Sequence, residues 1–264
     1  MKKPVVYCQF VSLCFTCILS GLAIAEEDGA SIIKKSDVAT KSHSEFTKLE
    51  MQLIDGKGNV EQTRKLDIYF KKYPDKEVTL QKFLFPPIVQ GAGLYIVDTG
   101  KSVNDIWMYL PTTRRLRRIS GAEKSNYYMG TEFSYEDFED YQIQNHNFKY
   151  IKDEECLNEK KCYLIESTPA SETEKNTSSY SKKIYWIEKT SLYSVQVDFF
   201  NKQGEKIKSL VETNLEQFGK YWRPQTLLMK NLENNRSTRI NVLDRQVDQA
   251  IDDYHLSKRF LRTD

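Results

Sequence analysis

The chain has 264 residues, with 39 Lys and Arg against 37 Asp and Glu, so it carries no surplus of charge that would draw it to nucleic acid. Its 16 tyrosines and 13 phenylalanines suit strands and apolar surfaces. The length suits one large β domain or two small ones.

The N-terminus reads as a secretory signal over residues 1–25. Lys2 and Lys3 form a positive start, Val5 to Leu22 an apolar stretch, and Ala23-Ile24-Ala25 a small-x-small cleavage site before Glu26-Glu27-Asp28. Ser12, Thr16 and Ser20 interrupt the apolar stretch, which favours cleavage over a retained anchor. Cys8, Cys14 and Cys17 lie inside that stretch and follow Tyr7, Leu13 and Thr16, where a lipid-attachment signal needs a small residue. No lipid anchor is therefore expected, and the mature chain is expected outside the cytoplasm. Cleavage removes two lysines and no acid, so the remaining charge balances. Residues 26–264 are expected to form one domain.

Period-2 alternation dominates the rest. Leu49, Met51 and Leu53 alternate with Glu50 and Gln52; Leu66, Ile68 and Phe70 alternate with Lys65 and Asp67, after the turn Asp55–Asn59. Strands are predicted over 80–85, 94–97 and 105–110, broken by Pro86-Pro87, by Gly91-Ala92-Gly93 and by Pro111. Residues 148–155 and 161–168 read as two arms of a hairpin with its turn at Leu157–Lys160. Cys156 and Cys162 flank that turn, and in an oxidising compartment they should pair as a structural staple. Further strands are predicted over 182–188, 192–200, 205–212, 223–232 and 236–243. Helix is minor: a short amphipathic one at Ser31–Lys41, a turn at Ser134–Asp140 capped by Ser134 with Asp137 three residues on, and a last short one within Asp248–Leu261. The stretch Ser171–Ser179 is the one candidate for a disordered linker. Ten or eleven short strands without crossover helices predict a large, curved, mainly antiparallel sheet.

Signals for chemistry are poor. His43, His146 and His255 have no metal-ligand spacing, and two cysteines expected to pair leave no zinc set. Gly100-Lys101-Ser102 ends like a phosphate loop, but Tyr95 stands where its first glycine belongs and a strand follows. No catalytic residue, metal site or cofactor is expected, and the chain is not read as an enzyme. Glu136, Asp137, Glu139 and Asp140 read as a solvated acidic face. Arg114, Arg115, Arg117 and Arg118 around Leu116 form the densest positive cluster. It is either a charged strand edge that blunts aggregation or a contact for an anionic head group or acidic partner. A curved sheet has a concave face, and Met51, Leu66, Ile68, Phe83, Phe85, Trp107 and Tyr109 are the candidates to line it. At about 0.8 kcal/mol per buried methylene, one long acyl chain would gain on the order of 10 kcal/mol before ordering costs. Periodicity alone leaves cavity lining and ordinary core equally open.

Three runs carry a family resemblance: Phe83-Leu84-Phe85-Pro86-Pro87 with Gly91-Ala92-Gly93-Leu94; Asp105-Ile106-Trp107-Met108-Tyr109-Leu110-Pro111 leading into Arg114–Ser120; and Met129-Gly130-Thr131-Glu132-Phe133-Ser134-Tyr135-Glu136-Asp137-Phe138. In this order they resemble the outer-membrane lipoprotein-sorting proteins, the LolA-like periplasmic carriers, from about Glu50 to near the C-terminus. The resemblance implies an unclosed antiparallel β-barrel of about eleven strands, with short helices as a lid over an apolar cavity. It also implies a non-catalytic role in carrying a lipid or lipid-modified protein, as a monomer touching membranes transiently. An inner-membrane exporter of the resistance-nodulation-division type is the implied partner. A sensing module that regulates or assists such an exporter is the alternative.

Overall fold

In a computed structural model, the described residues are Met1, 28–100, 104–139 and 143–263. The signal segment 1–25, apart from Met1, lies outside them, as do Asp140 and the residues after Gly100 in the phosphate-loop-like turn.

The chain lays down thirteen strands: β1 (Ser44–Ile54), β2 (Val60–Lys72), β3 (Glu77–Phe85), β4 (Gly93–Asp98), β5 (Asp105–Leu110), β6 (Arg115–Arg118), β7 (His146–Glu155), β8 (Lys161–Pro169), β9 (Lys182–Glu188), β10 (Ser194–Phe200), β11 (Lys206–Phe218), β12 (Tyr221–Asn231) and β13 (Ser237–Val247). They form one sheet in the order β6-β5-β4-β3-β2-β1-β13-β12-β11-β10-β9-β8-β7. Two antiparallel meanders are thus joined by the pairing of β1 with β13, from Glu45 opposite Val247 to Ile54 opposite Ser237. The sheet stays open, with β6 at one edge and β7 at the other. The expected unclosed antiparallel architecture is what forms. The count rises above eleven partly because the arginine run is itself a strand, β6, paired with β5 from Trp107 opposite Arg118 to Leu110 opposite Arg115. Cys156 and Cys162 are joined by a disulfide across the β7–β8 turn, where Asn158 and Glu159 take positive φ.

Helix α1 (Gly29–Thr40) shows how far the sheet curls. It packs against β7 and β8 and also against β12, which lies five strands from β7 in the sheet. The strands between, β9 to β11, stand further from it, as they do when a sheet wraps round a helix. Gly29, Ile32, Ile33 and Ser36 are its buried residues, at the spacing of a single helical face. Ile32 and Ile33 are fully buried in a core that also takes Leu49 and Met51 of β1, Leu66 of β2, Phe83 of β3, Ile165 of β8 and Met229 of β12.

The C-terminal residues cover the opposite face. The expected last helix is two short turns, Asp253–Leu256 and α3 (Lys258–Leu261), because Ser257 ends one and caps the next by accepting a hydrogen bond from Phe260 N at 3.1 Å. Leu261 is buried against Leu80 and Tyr109, and His255 stacks on Tyr69 with ring centroids 5.0 Å apart. Lys82 Nζ holds this tail by donating to the carbonyl oxygens of Phe260, at 3.2 Å, and Thr263, at 2.5 Å. The stretch once open to disorder carries α2 (Glu172–Thr177), whose cap Ser171 accepts from Glu174 N at 3.1 Å.

The approach of α1 to the sheet depends on Gly29. A Cβ there would stand 2.6 Å from Tyr150 N and 2.8 Å from Phe148 O, both strand backbone that cannot swing aside. Gly29→Ala is therefore expected to lower stability by about 1–3 kcal/mol through overpacking, read in urea unfolding, and to loosen protection of α1 amides in hydrogen exchange.

Candidate functional site

Between edge strand β6 and the opposite edge strand β7, residues 119–139 run through the inside of the curved sheet. Along residues 119–139, successive groups are fastened to different strands. Arg64 of β2 donates to Met129 O at 2.8 Å. Glu132 N donates to Thr238 Oγ1 of β13 at 2.9 Å, and Asn231 Nδ2 of β12 donates to Glu132 Oε2 at 2.8 Å. Tyr128, fully buried, packs on Phe83 with centroids 5.7 Å apart and meets Phe138 edge-on at 5.3 Å. The 3-10 turn Tyr135–Phe138 begins at Ser134, as the capping pattern predicts: Asp137 Oδ2 accepts from Ser134 N at 2.7 Å.

The acidic residues of this turn are not a solvated face, which corrects the sequence reading. Asp137 pairs with Lys208 of β11 at 2.5 Å, each side chain 2% exposed, and Tyr180 Oη donates to its other oxygen at 2.8 Å. Glu139 pairs with Lys124. Glu136 accepts from Ser178 Oγ and, at 2.7 Å, from Ser179 N. The cause is topological: a connector that crosses the interior has no solvent side, so its charges must find partners. Burial alone would raise the Asp137 carboxyl, but Lys208 and Lys183 outweigh it and hold the group below its ordinary range. For Glu139 burial wins over Lys124 and the carboxyl is pushed up.

Beside this network, beneath the end of α1, lies a cavity of about 240 Å³. Val197 and Phe199 of β10, Leu210 of β11 and Tyr185 of β9 give it an apolar wall. Lys183, Asp137 and Glu139 line it too, as do Tyr193 and Glu212. The Lys183 ammonium faces the rings of Tyr180 and Phe199, at 5.0 and 5.5 Å from their centroids. Burial would lower Lys183, but Tyr185, Glu136, Asp137 and Glu139 outweigh it and raise its pKa. Glu212 accepts a 2.7 Å hydrogen bond from Tyr193 Oη. Burial pushes the Glu212 carboxyl up to about 7, against the pull of Tyr193, Arg245 and Arg223. Those arginines are themselves bridged by Glu45, whose two carboxylate oxygens lie 2.8 Å from Arg223 Nε and 3.0 Å from Arg245 Nε. The cavity can therefore take an apolar group along one wall and a polar group against a cation or a carboxyl that titrates at about 7. At 240 Å³ it is smaller than the roughly 300–1,000 Å³ of sites that enclose a drug-sized ligand. Among the described residues, no group of three His, Cys, Asp or Glu side chains could hold a metal ion. No helix of the described residues is long and apolar enough to cross a membrane.

The structure divides the seven candidate lining residues. Met51, Leu66 and Phe83 are buried in the core that contains α1, and Ile68 packs against it partly buried. Trp107 and Tyr109 stand on the outer face. Ile106 and Met108 take the inward positions of β5, so strand parity sends their neighbours the other way. Tyr109 packs with Leu80 and Leu261, and Lys258 Nζ sits 3.4 Å from the Trp107 ring centroid. Phe85 is 47% exposed where β3 runs into a turn. None of the seven lines the 240 Å³ cavity. Of the arginines, Arg117 pairs with Glu123 and Arg118 with Asp105, while Arg114 and Arg115 have no ion pair among the described residues. Lys183, Lys208 and Glu212 were missed. Parity offered a signal for Lys183, which shares its face of β9 with Tyr185 and Ile187; on β11, Lys208 and Glu212 stand on one face with Leu210 between them, a mixed pattern that marks neither as buried.

Lys208→Met would leave Asp137 buried without its direct ion-pair partner. The expected loss is roughly 3–5 kcal/mol in denaturant unfolding, part of which the added change Asp137→Asn should recover because no bare charge remains. Glu212 gives a pH signature. Its carboxyl binds its proton more tightly folded than unfolded, so its contribution to stability falls as pH rises from the ordinary 4.5 to about 7. The melting temperature of Glu212→Gln relative to the unchanged protein should climb across that window and level off above it.

A protein-family model described as an uncharacterized protein matches residues 75–263, more than half of the chain. No curated protein matches it. Among solved structures, it is similar to a domain from Vibrio parahaemolyticus assigned to outer-membrane lipoprotein sorting, with 27% identity and a TM-score of 0.81 over 89% of this chain and 98% of that one. It is also similar to a DUF1329 family protein from Desulfovibrio piger, with 23% identity and a TM-score of 0.80 over 88% and 97% of the two chains. A LolA superfamily protein from Nitrosomonas europaea shares the fold at 15% identity and a TM-score of 0.67, over 89% of this chain and all of that one. The chain thus belongs to the family described as an uncharacterized protein, and the resemblance to the lipoprotein-sorting, LolA-like proteins read from its three runs holds in three dimensions.

Proposed function

We propose that the protein is a non-catalytic periplasmic carrier that takes a lipid or lipid-modified protein into the inside of its half-barrel. The observation that carries this reading is the combination of a lipoprotein-sorting-like fold with an interior cavity that has an apolar wall and polar groups. An acyl chain is recognised by area removed from water, not by hydrogen bonds. Val197, Phe199, Leu210 and Tyr185 offer that area, and Lys183 or the protonated Glu212 can meet a polar end. The cavity as it stands holds one end of an amphiphile. A longer cargo needs α1 or the 119–139 crossing to shift, which would open the inner face that carries Met51, Leu66, Ile68 and Phe83. Cleavage after Ala25 would free the chain to diffuse between membranes. An inner-membrane exporter of the resistance-nodulation-division type is the proposed protein partner, on the strength of the family resemblance alone.

Native mass spectrometry of protein purified without detergent is expected to show a bound lipid, and the protein is expected to extract labelled lipid from vesicles. Leu210→Trp, which fills the cavity, should lose most of that uptake while remaining folded. Correctly folded protein that takes up no lipid class would overturn the proposal; stoichiometric capture of a membrane regulator with no lipid would favour a sensing module instead.

A further inference from the structure

One end of the sheet, where β3 turns into β4 and β5 into β6, carries apolar side chains that the other described residues leave uncovered. Leu84 and Phe85 are each 47% exposed and Ile88 is 78% exposed. They sit on a well-braced turn. Pro86 O accepts from Val89 N and Gln90 N, both at 3.0 Å, and Val89 and Ala92 are buried in the core. Pro86-Pro87 stiffens it further. The neighbouring turn lies against it: Pro111 Cγ would stand 3.1 Å from a Cβ on Gly91. That second turn brings Arg114, followed by Arg115, both without an ion pair among the described residues. Lys65, also exposed, stands opposite Phe85 in the β2–β3 pairing, with Glu50 beyond it on β1. Arg114 and Arg115 also line, with Arg117, Arg262 and the apolar Met108, Leu110 and Leu116, an open groove of about 620 Å³.

We infer that Leu84, Phe85 and Ile88, flanked by Lys65, Arg114 and Arg115, form a docking surface for an anionic phospholipid bilayer. A projecting apolar tip with cations beside it matches the depth profile of such a surface, in which the tip enters the acyl boundary and the cations stay among the head groups. Each cation there strengthens binding roughly fivefold. The two turns are braced before contact, so little ordering cost opposes it. A single projecting tip, unlike a broad flat apolar patch, favours a bilayer over a folded protein partner. The inference deepens the carrier reading and rests on it in one respect: a carrier has to meet the membrane from which it loads or to which it delivers.

Flotation of the full mature chain with phosphatidylcholine vesicles, with and without phosphatidylglycerol, tests this. The protein is expected to float only with the phosphatidylglycerol vesicles and less so as salt rises. Arg114→Gln together with Arg115→Gln should weaken binding roughly 30-fold, and Ile88→Asp should weaken it as well, with melting unchanged because these side chains are exposed. Ile88→Trp should show a blue-shifted emission on the anionic vesicles alone. Wild-type protein that fails to float with phosphatidylglycerol vesicles overturns the inference, since contact then needs a protein partner, as does binding that either variant leaves intact. Lipid uptake measured from detergent-dispersed lipid separates the two proposals. Uptake without vesicle binding overturns the docking surface and leaves the carrier standing; vesicle binding without uptake does the reverse.

Discussion

The buried ion pair between Asp137 and Lys208 fixes the inside of this molecule. An open sheet that starts at one edge and resumes at the other must send its chain across somewhere, and here it goes through the concave side. Such a connector brings backbone and charged groups into a space that an apolar core would otherwise fill, and each must be compensated. Asp137 answers Lys208, its second oxygen takes the Tyr180 hydroxyl, and Glu136 and Glu139 are met by serines and by Lys124. The crossing is thereby bound to β11 and to the strand-leading segment before β9, and the cavity beside it inherits charged walls.

Those walls distinguish this half-barrel from a plain apolar trough. A wholly apolar cavity selects by size. In the proposed carrier, one with Lys183 and Glu212 at its margins would also select by what a cargo carries at its polar end, because a desolvated ammonium or carboxyl rejects a group that cannot pair with it. Glu212 adds a condition, since a carboxyl held near neutrality presents a donor in mildly acidic surroundings and an acceptor in alkaline ones.

Much of the sheet was legible because alternation is a local signal. The strands, the β7–β8 hairpin with its disulfide and the Ser134 cap all follow from residues close together in sequence. What alternation leaves open is which face of a strand is covered. Parity showed that Trp107 and Tyr109 share a side, but not that the C-terminal tail would cover that side and leave the opposite one to α1. The acidic run was misread for the same reason. Polar sequence normally means a solvent face, and only the crossing from β6 to β7 puts it inside. The 240 Å³ cavity is built from the end of α1, from β9, β10 and β11 and from the crossing turn, segments whose neighbourhood no local pattern specifies.

The pairing of β1 with β13 has a consequence in time. Each meander, β1 to β6 and β7 to β13, closes through short loops and can form as its own residues become available. The seam between them cannot, because one side is the first strand and the other the last. Until residue 247 is present, β1 keeps an unpaired edge of eleven residues, and so does the half-built second meander. An aggregation-exposed interval therefore separates the arrival of its first strand from that of its last in the compartment where it folds, which ties safe folding to the speed with which the whole chain is delivered there.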